Sequence, residues 1–384
     1  MFDIFYNKKF RSITSQVLLI LFLSMVFYYF INNAIINLDR LGITSGFDFL
    51  FSRAGYDASS PFFKFTSDSL HLDAYFVGLL NTLSVSIIGI FIATILGFIM
   101  GGLRLSNNWL VSKLVYLVVE FKRNVPVLIW IVIWYFGVLL QLPSTKEAIN
   151  IYDSIFISNR GLYFPSPIFI DGSIAILIAF IGAIIINFFY IKRARNLHIK
   201  TGKQSPIFLV STFLIIGLPV ISYFIANQPI EWTIPELKGF NFKGGMALKP
   251  EFVALLMGLS VYTSAHIAEI VRAGILSVSK GQTEASLSFN IKKNQMMKMI
   301  IIPQAFRLII PPLTSQYLNL MKNSSLGVAI GYMDLTATTG GITLNQTGQA
   351  IECILMIMGT YLLLSLSIST IMNYVNKKVQ YAES

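Results

Sequence analysis

A bilayer's hydrocarbon core is about 30 Å thick, and a helix needs about 20 apolar residues to cross it. The sequence supplies such runs near positions 15–36, 74–103, 112–141, 173–191, 206–226, 252–277, 305–331 and 349–375. Hydrocarbon offers no hydrogen-bond partner to a backbone N–H or C=O, so each run is expected to be helical. The predicted fold is therefore all-α, a polytopic transmembrane bundle of about eight spans. Composition agrees. Charged residues make up 12% of the chain and hydrophobic ones 55%, against about a quarter charged in soluble domains.

The net charge of +11 does not point to nucleic acid, because the basic residues sit in short clusters between apolar runs. Lys8, Lys9 and Arg11 precede the first span. Arg104 and Lys113 lie between the second and third, and Lys192, Arg193, Arg195, Lys200 and Lys203 between the fourth and fifth. Lys280, Lys292, Lys293 and Lys298 lie between the sixth and seventh, and Lys377 and Lys378 follow the last. Every second loop is basic. The alternate loops mix signs, as with Asp39, Arg40, Asp48, Arg53, Asp57, Lys64 and Asp68 in the first. The positive-inside rule then places both termini in the cytoplasm. The first run is long for a signal core and lacks a small-x-small cleavage site, so it reads as a retained anchor. Cys353, the single cysteine, reads as apolar filler.

Residues 1–72 form an anchor helix and a periplasmic segment, and 73–384 the main membrane domain. The stretches Leu142–Gly172 and Asn227–Pro250 are polar and carry Pro143, Pro165 and Pro167. They read as periplasmic excursions with little regular structure, flanking an insertion at about 142–250. Glu120, Lys122, Arg123, Asn124 and Pro126 interrupt the third run, which predicts an amphipathic segment, a bend, and the span proper from about Val127.

Ionisable groups inside spans are costly and are functional candidates by default. Glu269 and Arg272 are three apart on one helix face and are able to pair. Lys322, followed by Asn323, Ser324 and Ser325, faces either a polar pathway or, by snorkelling, an interface. The glycine pairs Gly97/Gly101 and Gly327/Gly331 have the spacing of close helix packing.

The stretch from Ser279 to Arg307 holds the most information. Gly281 is expected to break the preceding helix, Gln282 or Thr283 to cap a new one, and Glu284 to sit in its first turn. Asn290 tolerates the left-handed conformation and can end that helix. A basic amphipathic segment follows, with Ile291, Met296, Met297, Ile300 and Ile301 on one face, and Pro303 marks the turn into the next span. The expectation is a helix–turn–helix on the cytoplasmic face, shaped to dock into a partner's cleft. A bare surface helix is the alternative.

Glu284-Ala285-Ser286, Asn290 and Ile301-Ile302-Pro303-Gln304-Ala305 resemble the "EAA" coupling loop of binding-protein-dependent ABC importers, with Asn290 where the family has glycine. Gly78-Leu79-Leu80-Asn81-Thr82-Leu83, Phe121-Lys122-Arg123-Asn124-Val125-Pro126, Ala268-Glu269-Ile270-Val271-Arg272-Ala273-Gly274, Pro311-Pro312-Leu313-Thr314-Ser315-Gln316-Tyr317 and Asn323-Ser324-Ser325-Leu326 resemble the polar amino-acid branch of that family. The extra first span and the insertion resemble the larger permease of general L-amino-acid importers. The resemblance implies a type I ABC importer permease fold in a bacterial inner membrane. It implies coupling to a separate ATPase through Glu284, Ala285, Ser286, Asn290 and Pro303, a homologous second permease, and a periplasmic amino-acid-binding protein. It makes Glu269, Arg272, Lys322, Asn323, Ser324, Asn81 and Thr82 the substrate-pathway candidates. The chain has no Gly-x-x-x-x-Gly-Lys-Ser/Thr loop, so ATP and magnesium belong to the partner ATPase, and no metal or cofactor is expected here. An ion-coupled secondary transporter is the rival reading. A membrane enzyme finds no metal cluster, since His71, His198 and His266 fall in unrelated segments.

Overall fold

The computed structural model describes residues 8–40, 46–57, 65–202 and 205–380, without the side chains of Lys9, Leu38 and Asp39. Lys64 and Lys203, two of the loop charges, lie outside the described residues. The long helices are α1 (Lys8–Arg40), α2 (His71–Leu103), α3 (Trp109–Asn124), α4 (Val127–Gln141), α5 (Ser173–Thr201) and α6 (Ile207–Ile225). After these come α7 (Pro250–Leu276), the short α8 (Lys280–Ser288), α9 (Lys293–Ile330) and α10 (Ala350–Gln380). Seven of these are long and apolar enough to cross a membrane, or eight if α3 and α4 form one bent span. That bend is 103° and falls where the sequence predicts it. Val125 is extended ahead of Pro126, as proline requires of its neighbour. The Trp130 indole donates across the bend to the Lys122 carbonyl (3.2 Å) and meets Phe121 edge-on.

The chain forms two compact units. The first comprises residues 1–134 and 254–384 and the second 135–253. In the first, α9 packs along both α2 and α10. The glycines of α2 explain the closeness of α7. A β-carbon at Gly97 would lie 2.5 Å from Ile267, and one at Gly101 would lie 2.8 Å from the Ala268 carbonyl oxygen. Gly327 likewise makes room for Leu255 and Tyr332, whereas Gly331 meets open space and has φ +78°. The second glycine pair is thus one packing contact and one left-handed turn, and its spacing has no common cause.

The second unit corrects the expectation of irregular excursions. They carry eight strands, β1 (Ile149–Ile151), β2 (Ile155–Ser158), β3 (Gly161–Phe164), β4 (Ser166–Phe169), β5 (Ile230–Thr233), β6 (Glu236–Lys238), β7 (Asn241–Lys243) and β8 (Met246–Leu248). Tyr152 and Asp153 both take positive φ and close the β1–β2 hairpin. The two excursions then pair with each other. Leu162 of β3 faces Leu248 of β8, and Ser166 of β4 faces Thr233 of β5. Such pairing across more than 60 residues leaves no mark in either window alone.

Gly101→Val is expected to lower the thermal midpoint of the detergent-solubilised protein, the consequence of about 1–3 kcal/mol of overpacking. Gly182→Ala, whose added methyl meets open space, is expected to leave it unchanged.

Candidate functional site

Three groups of polar residues stand out in the first unit. The first gathers around Glu269. Arg272, one turn further along α7, donates to its carboxylate from Nη2 (2.6 Å) and Nε (3.2 Å). Arg104, at the end of α2, donates to Oε2 of the same carboxylate. Arg123 of α3 stands 3.9 Å from it and 3.4 Å from Glu120. The Arg104 side chain is only 7% exposed, so Glu269 is the counter-charge that permits its burial. The i,i+3 pairing of Glu269 and Arg272 follows from helix spacing. The two additional arginines come from other helices and were not foreseen. The cluster ties the ends of α2, α3 and α7 together.

The second group lies deeper. Asn81 and Thr82 of α2 are buried, and both hold the segment between α9 and α10. Asn81 Nδ2 donates to the Met333 carbonyl (2.8 Å), and the Tyr332 hydroxyl donates back to the Asn81 carbonyl (3.0 Å). The Leu335 N–H donates to Thr82 Oγ1 (3.1 Å). Gly78 lets this segment approach, since a β-carbon there would lie 2.9 Å from Leu335 Cα. Asp334 is wholly buried. Its carboxylate accepts from the Ala337 N–H (2.9 Å) and from the Tyr361 hydroxyl of α10 (3.3 Å). The first of these bonds holds the start of the wide helical turn Thr336–Thr343. Sequence reading missed Tyr332, Asp334 and Tyr361. The available signal was an acid, Asp334, embedded between two apolar spans.

Lys322, Asn323 and Ser324 lie on α9 just before this segment, 100° apart around the helix. Their environments differ accordingly. Ser324 is buried and bonds the Met321 carbonyl (2.7 Å), Asn323 is half-buried, and Lys322 is exposed. The structure does not bring Lys322 to Glu269 and Arg272 in one ion-pair cluster, and among the described residues no ion pair reaches it.

The third group is the hairpin between α7 and α9. Its α8 starts at Lys280 behind Ser279, with no side-chain cap. Gly281 therefore lies inside the helix, Gln282 and Thr283 are not caps, and Glu284 stands in the second turn. The break comes earlier, at the end of α7, where the chain leaves the helix after Leu276. Asn290 takes φ +54°. The Ile291 N–H reaches the Ser286 carbonyl (3.0 Å) and the Asn290 N–H reaches that of Leu287 (2.9 Å). This is the paired-bond left-handed closure of a helix that glycine favours and asparagine tolerates. Ser286 is buried, while Glu284, Ala285, Leu287 and Phe289 are exposed, Phe289 to 81%. Met296 and Ile301 are buried, and Ile291, Met297 and Ile300 are half-buried, as the amphipathic face requires. Pro303 does not mark a turn. The helix runs through it from Lys293 to Ile330. A wide turn at Met297–Ile301 immediately precedes it and absorbs the ring and missing donor of the proline.

Comparison with known proteins agrees with this architecture. The family described as binding-protein-dependent transport system inner membrane component matches residues 93–381. The chain is 45% identical to the permease protein YhdX of Escherichia coli (strain K12), over 99% of this chain and 96% of that one. It is 44% identical to the general L-amino acid transport system permease protein AapQ of Rhizobium johnstonii, over 98% and 94% respectively. It is 39% identical to the glutamate/glutamine/aspartate/asparagine transport system permease protein BztB of Rhodobacter capsulatus, over 98% and 96%.

Glu269→Gln removes the counter-charge of a buried arginine, a change that costs about 3 kcal/mol in comparable ion pairs. It is expected to lower thermal stability and yield in detergent clearly more than Glu120→Gln, which touches only the half-exposed Arg123.

Proposed function

Since the chain belongs to the family of binding-protein-dependent transport system inner membrane components, we propose that it forms one half of the membrane channel of an ATP-driven amino-acid importer. It is a permease subunit with a type I ABC permease fold, not an enzyme. The observation that carries the reading is the exposed hairpin at α8. A short helix closed by Asn290 presents Glu284, Ala285, Leu287 and Phe289 with no cover among the described residues. It is joined to α7 on one side and continues into α9 on the other. An ATPase cleft that receives α8 would gain purchase on both spans at once.

The partners follow. A separate ATPase binds ATP and magnesium, since this chain holds no phosphate loop. A homologous second permease completes the pore, and a periplasmic binding protein delivers the amino acid. The basic loops set both termini and the α8 hairpin in the cytoplasm, in a bacterial inner membrane. Residues 1–72 act as an anchor and 73–384 as the permease proper, with its insertion at about 142–250. ATP-driven closure of the ATPases moves α8, and the pathway opens first outward and then inward. An amino acid is a zwitterion and needs partners for both charges. Lys322 is a partner for its carboxylate, and Asn323, Ser324, Asn81 and Thr82 are the other proposed pathway residues. The Glu269–Arg272 pair, with Arg104 and Arg123, acts as the brace that carries motion between the helix ends. An ion-coupled transporter would leave the uncovered hairpin without a task.

The test is substrate-stimulated ATP hydrolysis by the complete transporter in liposomes. Glu284→Lys and Asn290→Pro are expected to abolish stimulation while the protein stays in the membrane. Asn290→Gly, which suits positive φ better, is expected to retain it. Undiminished uptake by the first two would overturn the coupling role. Lys322→Ala is expected to lower affinity for amino acids, and normal transport of every amino acid would leave it a packing residue.

A further inference from the structure

A cleft of about 310 Å³ opens where the end of α2 meets α3, lined by Arg104, Trp109, Ser112, Lys113, Tyr116 and Arg272. It contains three cations and no acid. Arg104 and Arg272 have Glu269 behind them, but Lys113 has only the Tyr116 ring, 5.2 Å from its ammonium. Arg104 stacks on the same ring at 5.2 Å. Counting Arg123 and Glu120 as well, four cations face two carboxylates, so the cleft carries a net positive charge.

The apolar side of the same helix completes the feature. Leu110, Leu114, Leu117 and Phe121 recur at i, i+4, i+7 and i+11 and form one stripe of α3. All four are more than half exposed. The stripe lies roughly a quarter turn around the helix from Trp109, Lys113 and Tyr116. The sharp bend at Val125–Pro126 sets α3 nearly perpendicular to α4. With α4 along the membrane normal, α3 lies in the interface, where a helix of this kind buries its apolar face among acyl chains. Trp109, 75% exposed, stands at the rim of the cleft, the level at which tryptophan settles in bilayers.

From this pairing of a basic cleft with an acyl-facing stripe on one helix, we propose that α3 is the binding site of an anionic phospholipid. Its phosphate sits in the cleft beside Lys113 and Arg104, and its chains lie over Leu110, Leu114 and Leu117. The side of the membrane follows the orientation proposed above and makes this a lipid of the cytoplasmic leaflet. The site itself does not depend on the transport reading. Basic pockets between spans are a known way of holding anionic headgroups.

The test uses the intact transporter in mild detergent, loaded with phosphatidylglycerol or phosphatidylcholine and examined by native mass spectrometry. The wild type is expected to retain one phosphatidylglycerol in preference to phosphatidylcholine. Lys113→Ala is expected to reduce that retention about fivefold, the worth of one cation at an anionic surface. Lys192→Ala, on α5 and outside the cleft, is expected to leave it unchanged. Equal retention by wild type and Lys113→Ala, or equal loss of both lipids, would overturn the proposal. So would inorganic phosphate at millimolar concentration displacing the lipid completely, because the cleft would then recognise a free anion and the stripe would contribute nothing. Lys113 is exposed and bears no structural bond, so the variant folds and the comparison reads the site alone.

Discussion

Lipid gives a backbone nothing to bond to, and the departures from helix show how strictly this binds the chain. Most spans satisfy their own N–H and C=O groups. The segment from Gly331 to Gln349, between α9 and α10, does not, since its backbone passes through a non-helical stretch into the wide helical turn Thr336–Thr343. Side chains supply what the backbone lacks. Thr82 accepts from the Leu335 N–H, Asp334 from the Ala337 N–H, and Asn81 donates to the Met333 carbonyl. These residues are better understood as replacements for missing backbone bonds than as polar groups that happen to be buried. Their own burial is tolerable for the same reason, because each makes a hydrogen bond to that segment.

How legible this was in the sequence depends on the range of each signal. Spans are local, so hydropathy located them to within several residues, except where a helix extends past its apolar run, as α5 and α9 do. The bend before Val127 was legible because proline acts on its immediate neighbour. The left-handed closure at Asn290 was legible for the same reason. The strands of the second unit were not, because β3 finds β8 and β4 finds β5 only across the α5–α6 hairpin. Nor were Arg104 and Arg123 as partners of Glu269, since they come from separate helices. Pro303 misled in the opposite direction. Proline usually ends a helix, but a wide turn ending two residues before it lets the helix continue.

That continuity matters for the α8 hairpin. Had the chain turned at Pro303, a force on α8 would reach α9 through a flexible joint. Instead α9 continues as one helix of 38 residues through a wide turn at Met297–Ile301 and a tight one at Ser324–Ile330, and its first turns supply the apolar platform, Met296, Ile300 and Ile301, on which α8 rests. The other connection is just as short. Only three residues, Ser277 to Ser279, separate α7 from α8, and α7 carries Glu269 two turns before its end. Displacing α8 therefore moves a rigid rod on one side and the arginine brace on the other.

The distribution of charge makes the same point about completeness. Ionised side chains deep in a bilayer are costly unless paired or wet. The buried cluster at Asn81 and Tyr332 holds the acid Asp334, hydrogen-bonded by Ala337 and Tyr361, and Arg104, Arg123 and Arg272 gather at Glu269. Lys322 breaks the pattern. It lies eight residues short of the end of α9, points away from the chain's own core, and is met by no acid among the described residues. A lysine so placed is unfavourable against lipid. It is reasonable against an aqueous path shared with a second subunit. The proposed half-pore supplies that path, and so this costly charge lies where a single copy is incomplete.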